Sequence, residues 1–311
     1  MWTGAPTGTM HAMTHDQVRT IEWAPVSSAQ YQQWLAPVRA RLVRRRDPAD
    51  SAAEATVDRA LGTLLPDGPD TPGEHLLLAR VGAEVVGQAW LGLDGRGALV
   101  RDLAGEELLP ALERYAAGIG ADAIKISMFE PDRYPGAPGY RVVNTQMRRA
   151  LTDADDAGPR RELREMTADQ WAAFRANQES DYAAEMLRAG QCATAAEAAA
   201  RAERELAELL PAGRDTPDQR FLMGYAGGEP VGFLWYCVDP GSAFVLDLLV
   251  YEPHRRRGHA AGMLRAMHDR CRTAGLATIG LSVFGFNDGA RALYDALGYR
   301  PVEQVLVKSL R

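Results

Sequence analysis

Residues 244–264, FVLDLLVYEPHRRRGHAAGML, have the residue types and spacing to hold an anion. An apolar strand runs into the start of a helix, and such a start presents successive backbone N–H groups without partners. With the helix dipole, these favour a phosphate. Gly258, Ala260, Ala261 and Gly262 keep bulky side chains out of the approach, and Arg255, Arg256 and Arg257 add positive charge. A bare arginine run also serves simply to solvate a helix start, so taken alone the loop is only suggestive. A second stretch, NDGARALYDALGY at 287–299, carries Asn287 and Tyr294. Without a chemical role, Asn287 is a helix N-cap and Tyr294 a core aromatic. His254 and His259 adjoin the loop without metal-ligand spacing; they read as solvent-exposed, and no metal is expected.

Around these residues the elements are legible. Two helical stretches come first, one ending at Gly190 and one before Pro211. The strands RFLMGYA and PVGFLWYCV are joined by a Gly turn, and AFVLDLLV is a third strand. Ala260, Leu264, Met267 and Cys271 then recur at helical spacing in a segment closed by Gly275. A strand, ATIGLSVF, a short helix, DGARALYDAL, and a last strand, PVEQVLVKSL, complete a mixed α+β domain.

The chain writes this domain twice. LLPDGPDTP at 64–72 recurs as LLPAGRDTP at 209–217, and the offset of 145 holds through Leu77/Leu222, Gly87/Gly232, Trp90/Trp235, Asp102/Asp247 and Leu103/Leu248. It then grows to 155 at Phe129/Phe284 and 159 at the two GYR triplets, so the second copy has gained residues in two places. A period this long makes each copy a whole domain. The reading is a tail over 1–20, with Met10 or Met13 as a candidate start, a first domain over 21–151, a linker over 152–162 and a second domain over 163–311.

Composition is that of an ordinary globular protein. The net charge of −6 argues against a nucleic-acid partner and leaves room for a cationic substrate. Cys192, Cys237 and Cys271 fit no disulfide framework and read as reduced cytoplasmic thiols. No segment approaches the roughly 18 apolar residues of a membrane span, and the N-terminus lacks a signal-peptide core.

The order of elements, the R-x-x-G-x-A spacing of Arg255, Gly258 and Ala260, and N-x-x-A-x-x-L-Y-x-x-L-G-Y at 287–299 resemble the GNAT superfamily of acetyl-CoA-dependent N-acetyltransferases. The resemblance covers about residues 163–310. It implies that backbone groups of Leu248, Leu249 and Val250 pair with the pantetheine arm of coenzyme A. The amides of Arg256, Arg257, Gly258, His259, Ala260 and Ala261 would hold the pyrophosphate, Asn287 would touch the cofactor, and the Tyr294 hydroxyl would sit near the thioester sulfur. The fold implied is two tandem GNAT-like domains. The first has lost the cofactor loop: Glu106 and Glu107 stand where the inserted residues would be, and Pro131, Pro135 and Pro138 oppose the Asn-to-Tyr helix. Its expected roles are to shape the substrate pocket or to dock a second copy in a homodimer.

The reaction implied is direct attack of a small-molecule amine on the acetyl thioester, with Tyr294 as the acid for the departing thiolate. Leu249 stands where the family often has a glutamate base. Asp247, with Glu252 behind it, is the nearest carboxylate, but Asp102 repeats it in the copy without a cofactor loop. That echo tips the expectation towards a water relay, or the neutral fraction of the amine, in place of a dedicated base. On the first helix of the second copy, Glu179, Asp181, Tyr182 and Glu185 suit a cationic amine, although a solvated face explains them equally. A non-catalytic acyl-CoA-binding or subunit-docking protein is the alternative. The layout is also similar to that of the mycothiol synthases, but nothing in these helices singles out their substrate.

Overall fold

The structure is a computed structural model and describes residues 20–45, 52–129, 138–152 and 157–311. The tail with Met10 and Met13, the segment with Pro131 and Pro135, and the middle of the 152–162 stretch lie outside the described residues.

The chain divides into two compact units, 1–122 and 123–311. The first holds β1 (Glu22–Pro25), α1 (Tyr31–Arg44), α2 (Ala53–Leu64), β2 (Glu74–Val81), β3 (Glu84–Asp94), β4 (Gly97–Ala104) and α3 (Leu109–Gly118). Its strands pair antiparallel in sequence order. The second holds β5 (Ala123–Phe129), β6 (Arg141–Ala150), β7 (Glu162–Glu165), α4 (Ala168–Ala189), α5 (Ala195–Leu209), β8 (Gln219–Ala226), β9 (Glu229–Asp239), β10 (Ser242–Val250), α6 (His259–Thr273), β11 (Thr278–Phe284), α7 (Asp288–Ala296) and β12 (Arg300–Ser309). Its strand order is β5-β12-β6-β11-β10-β9-β8-β7. The compact boundary therefore falls at 122/123 and not in the 152–162 stretch. The physical reason is strand pairing: β6, the last strand of the first sequence copy, lies between β11 and β12, and β5 pairs with β12.

Both faces of the second sheet are covered, and the alternation of side chains decides what meets what. Phe221, Met223 and Trp235 pack with Phe174 of α4 and Leu206 of α5. Their neighbours Leu222, Leu234 and Tyr236 pack with Met263, Leu264 and Met267 of α6 and with Tyr294 and Leu297 near the end of α7. β10 carries a bulge between Val245 and Asp247. Val245 and Leu248 thus share the α6 face although three residues apart, and the bulge aims Asp247 at α4. A bulge also precedes Asp102 in the first unit, between Trp90 and Leu91 of its partner strand.

α4 opens with a capping box: the Gln170 N–H donates to the Thr167 hydroxyl at 3.3 Å, and the Thr167 N–H donates to the Gln170 side chain at 3.0 Å. It closes on left-handed Gly190, φ 70°. In the first unit the Ser27 N–H donates to the Gln30 side chain at 3.2 Å in the same way. Trp34 then meets Trp90 edge-on, as Phe174 meets Trp235. The two helices are therefore in register at an offset of 140, which pairs Arg41 with Asp181 and Arg45 with Glu185.

That register explains Asp102. Its side chain is fully buried and accepts from Arg41 at 3.0 Å and Arg45 at 2.8 Å. Replacing Asp102 by Ala takes the buried carboxylate away from two inward-facing guanidinium groups. We expect the variant to lose about 3 kcal/mol, the lower end for a broken buried pair because both arginines stay partly exposed. Urea unfolding of the full chain measures it.

Among the described residues no helix is long and apolar enough to cross a membrane.

Candidate functional site

The site begins where two strands part. β10 and β11 run parallel and pair from Ser242↔Thr278 to Val245↔Leu281. Beyond that point β10 continues with β9 as far as Val250↔Gly232, while β11 continues with β6 as far as Phe284↔Asn144. From Leu246 to Val250 one edge of β10 has no strand partner among the described residues, so its peptide groups are open to an extended polar chain. Ligands of open α/β sheets bind at such carboxyl-end partings. On the other edge of β10, Gly232, which the sequence reading named only as a repeat match, lets β9 pair closely: a Cβ there would strike the Leu249 carbonyl and sit 2.9 Å from Val250 Cα.

The loop after β10 leads to the start of α6. Arg256 and Gly258 both have left-handed backbones, φ 63° and 75°. Successive N–H groups beside left-handed residues form the concavities that bind anions. The first bond closed onto the helix is Gly262 N–H to Gly258 C=O at 3.0 Å, so the amides before it have no intrahelical acceptor. Arg255, Arg256, Arg257 and Gly258 are exposed, and a Cβ at Gly258 would meet nothing within 4 Å. Arg255 steadies the loop by donating from Nε to the Val250 carbonyl at 3.1 Å.

Two residues of this stretch turn elsewhere. Gly262 presents its bare face to Pro159 and Arg161, whose N–H donates to the Gly262 carbonyl at 3.0 Å; its lack of a side chain serves packing and not the anion approach. His259 is buried, not solvent-exposed: its Nδ1 accepts from Arg161 Nε at 2.8 Å. Desolvation, then the charge of Arg161, pushes its pKa down, which keeps the ring neutral. Ala260 and Ala261 remain as small first-turn residues of α6.

Across the parting, groups from both faces meet. Asp247 is partly buried and accepts from Gln178 Nε2 of α4 at 3.1 Å. Desolvation raises its pKa to about 6, opposed by the hydrogen bonds from Gln178 and the Leu248 amide and reinforced by the charge of Asp181. Tyr294 is 8% exposed. Burial, then the charges of Asp247 and Glu185, raises its pKa to about 12. Its ring packs against Tyr299 at 5.8 Å, but its hydroxyl has no hydrogen-bond partner among the described residues. Glu185 opens onto solvent, and its pKa is raised by desolvation and by the charges of Asp247 and Asp181.

Other expected site residues stand apart. Glu252 lies exposed on the short turn after β10. Glu179 pairs with Arg175 at 3.7 Å along α4. The Tyr182 hydroxyl donates to Glu205 of α5 at 2.7 Å, which commits it to the helix pair. Asn287 Oδ1 accepts from the Ala290 N–H at 3.1 Å and caps α7, which leaves its exposed amide group for any further partner. Gln178 was missed. Its signal was helical spacing, since 178, 181 and 185 fall on one face of α4.

The first unit lacks the loop. Only residues 105–108 separate β4 from α3, against 251–258 between β10 and α6. Leu108, 2% exposed, packs over Gly87, and the Glu107 carboxylate lies beside Gly105; nothing is described of the Glu106 side chain.

The profile of the acetyltransferase (GNAT) family matches residues 165–299. The uncharacterized N-acetyltransferase YdgE of Bacillus subtilis (strain 168) is 31% identical over 142 residues, covering 44% of this chain and 90% of its own. The uncharacterized N-acetyltransferase YycN of the same organism is 29% identical over 153 residues, covering 48% of this chain and 97% of its own. A solved GCN5-related N-acetyltransferase from Sphaerobacter thermophilus shares the fold across 94% of this chain and 96% of its own, with TM-score 0.53 and 18% identity. The profile spans the parted strand, the anion loop and Tyr294, and 90% of YdgE is matched: the chain belongs to the acetyltransferase (GNAT) family, whose chemistry is acyl transfer from acetyl-CoA.

Proposed function

We propose that the second unit transfers an acetyl group from acetyl-CoA to a primary amine of a small molecule by direct attack. The observation that carries this reading is Tyr294, a nearly buried residue whose hydroxyl has no partner among the described residues and whose pKa is raised by burial and by the charge of Asp247, a carboxyl whose own pKa of about 6 suits a general base. Acetyl-CoA supplies the activated acetyl group. The free edge of β10 would take the pantetheine arm and offer N–H groups to the thioester oxygen, and the start of α6 would take the pyrophosphate.

Asp247 would accept the proton that an ammonium acceptor must lose. The echo of this residue at Asp102 does not weigh against that role, because Asp102 is neutralised by Arg41 and Arg45, whose counterparts beside Asp247 are acidic. Tyr294 would donate to the departing sulfur. Its pKa of about 12 keeps it protonated. Against a thiolate of pKa about 8.5 it gives a hydrogen bond more readily than a whole proton, and the positive charge developing on the amine nitrogen narrows that difference. No acyl-enzyme is needed: burial raises the Cys237 thiol, takes Cys271 up to about 11, and Cys192 is buried.

A panel of primary amines, read by release of free coenzyme A, tests the transfer. The rate should fall below pH about 6 as Asp247 takes up its proton. In Asp247→Asn that acidic limb should vanish and turnover drop by roughly 10²-fold or more. A fold effect is separable. The folded state raises this carboxyl above its unfolded value, so its contribution to stability declines as pH rises through about 6. Asp247→Asn should therefore melt no lower at pH 7. Unchanged turnover in this variant would remove Asp247 as the base.

A further inference from the structure

We propose that the acceptor amine carries a second positive charge, as aliphatic diamines and polyamines do, held by Asp181 and Glu185 of α4 while Asp247 faces the amine to be acylated. This rests on Tyr294 and Asp247 marking the acceptor end of the site.

The two units provide the comparison. In each, a bulged strand aims an aspartate at the helix that follows the first strand, and the helices are in register. In the first unit the two facing helix positions are Arg41 and Arg45, and they neutralise Asp102 within the fold. In the second the same positions are Asp181 and Glu185, so the helix adds negative charge to Asp247. Gln178 is the hydrogen-bonding neighbour of Asp247, and it brings no charge. Arg188 is the cation whose charge eases Glu185, and its guanidinium already lies over the Phe286 ring, 3.9 Å from the centroid.

Acidic side chains on a helix face are ordinary by themselves. The independent observation is Tyr294, which packs on the α6 side of the sheet, is 8% exposed as a residue, has a pKa raised by burial and then by the charges of Asp247 and Glu185, and has a hydroxyl without a protein partner among the described residues. A hydroxyl without a protein partner on a nearly buried side chain, together with two exposed carboxylates that pair with no described cation, is what a site looks like when its ligand supplies both the polar contact and the charge. A monoamine would leave Asp181 and Glu185 uncompensated. A dication would meet both ends.

Calorimetry on the full chain with coenzyme A present tests this using tetramethylputrescine, a dication that cannot be acylated, and dimethylbutylamine, its singly charged counterpart. The dication should bind about tenfold more tightly at low salt, and the advantage should vanish in the Asp181→Asn/Glu185→Gln double variant. Glu185→Arg, which restores the arrangement of the first unit, should close onto Asp247 and abolish binding of the dication without lowering Tm. Equal affinity for the two probes, failure of the dication to bind, or an advantage that survives in the double variant would each overturn the proposal. So would stronger binding of amines bearing a carboxylate, which Arg141 and Arg188, lining a shared cavity at the end of α4 with Phe286, would favour. Because binding is read without turnover, the two readings fail separately. Primary-amine acetylation without a dication preference leaves acetyl transfer standing. Glu185-dependent dication binding with no acetylation of any amine removes the transfer and not the charge recognition.

Discussion

Replacing Gly258 by Glu is expected to raise the dissociation constant for acetyl-CoA by 100-fold or more, whereas calorimetry of the unaltered chain should give about one site. The reasoning starts from space and charge. A Cβ at Gly258 meets no neighbour within 4 Å, so the longer side chain does not clash with the fold; it projects into the approach to the helix start, and its carboxylate repels phosphate. Backbone strain is a separate term, because φ is 75° and a residue with a Cβ costs about 1 kcal/mol there. Gly258→Ala isolates that term. It should lower Tm slightly and weaken acetyl-CoA binding far less than Glu does. Equal losses in the two variants would mean that strain, and not blockage of an anion site, explains the effect. A stoichiometry near two would place a second site in the first unit, where Leu108 packs over Gly87 and no comparable loop precedes α3.

Tyr294→Phe is expected to lower turnover by roughly 10²-fold and to leave acetyl-CoA affinity within about twofold. The stability outcome runs against the usual expectation for a buried polar residue. The Tyr294 ring fills the α6 side of the core, and phenylalanine keeps that packing. The hydroxyl has no partner to lose, so removing it should leave Tm unchanged or slightly raised. A fall in Tm together with a fall in acetyl-CoA affinity would assign the residue to structure. Normal turnover would take it out of the chemistry.

Much of both was legible in the sequence because the signals are local. Thr167 and Gln170 set the start of α4 and Gly190 its end, each within one helical turn. The loop before α6 was readable because the anion-binding role proposed for it would lie in backbone groups, which glycine, small residues and flanking arginines advertise. The acceptor end was less so. Asp181, Tyr182 and Glu185 fall together by spacing, but Tyr182 is drawn to Glu205 by the packing of α5, and Gln178 joins Asp247 only because a bulge turns that side chain towards α4. The bulge is common to both copies, so the echoed aspartates differ in surroundings because the helix opposite has changed sign.

What the sequence determined by itself is the repeated order of elements and the place of the glycine- and arginine-rich loop before α6, which is longer than its counterpart before α3, since each follows from residues close along the chain. What only the tertiary structure decided is which strands pair. Alternating patterns in RVVNTQMRRA and PVEQVLVKSL mark β6 and β12 as strands, but alternation specifies a face and not a neighbour. The fold places β6 between β11 and β12, so the last strand of the first copy completes the sheet that carries the site. Backbone hydrogen bonds are the same for every partner; the choice among partners is made by side-chain packing between residues far apart in sequence, which no local pattern records.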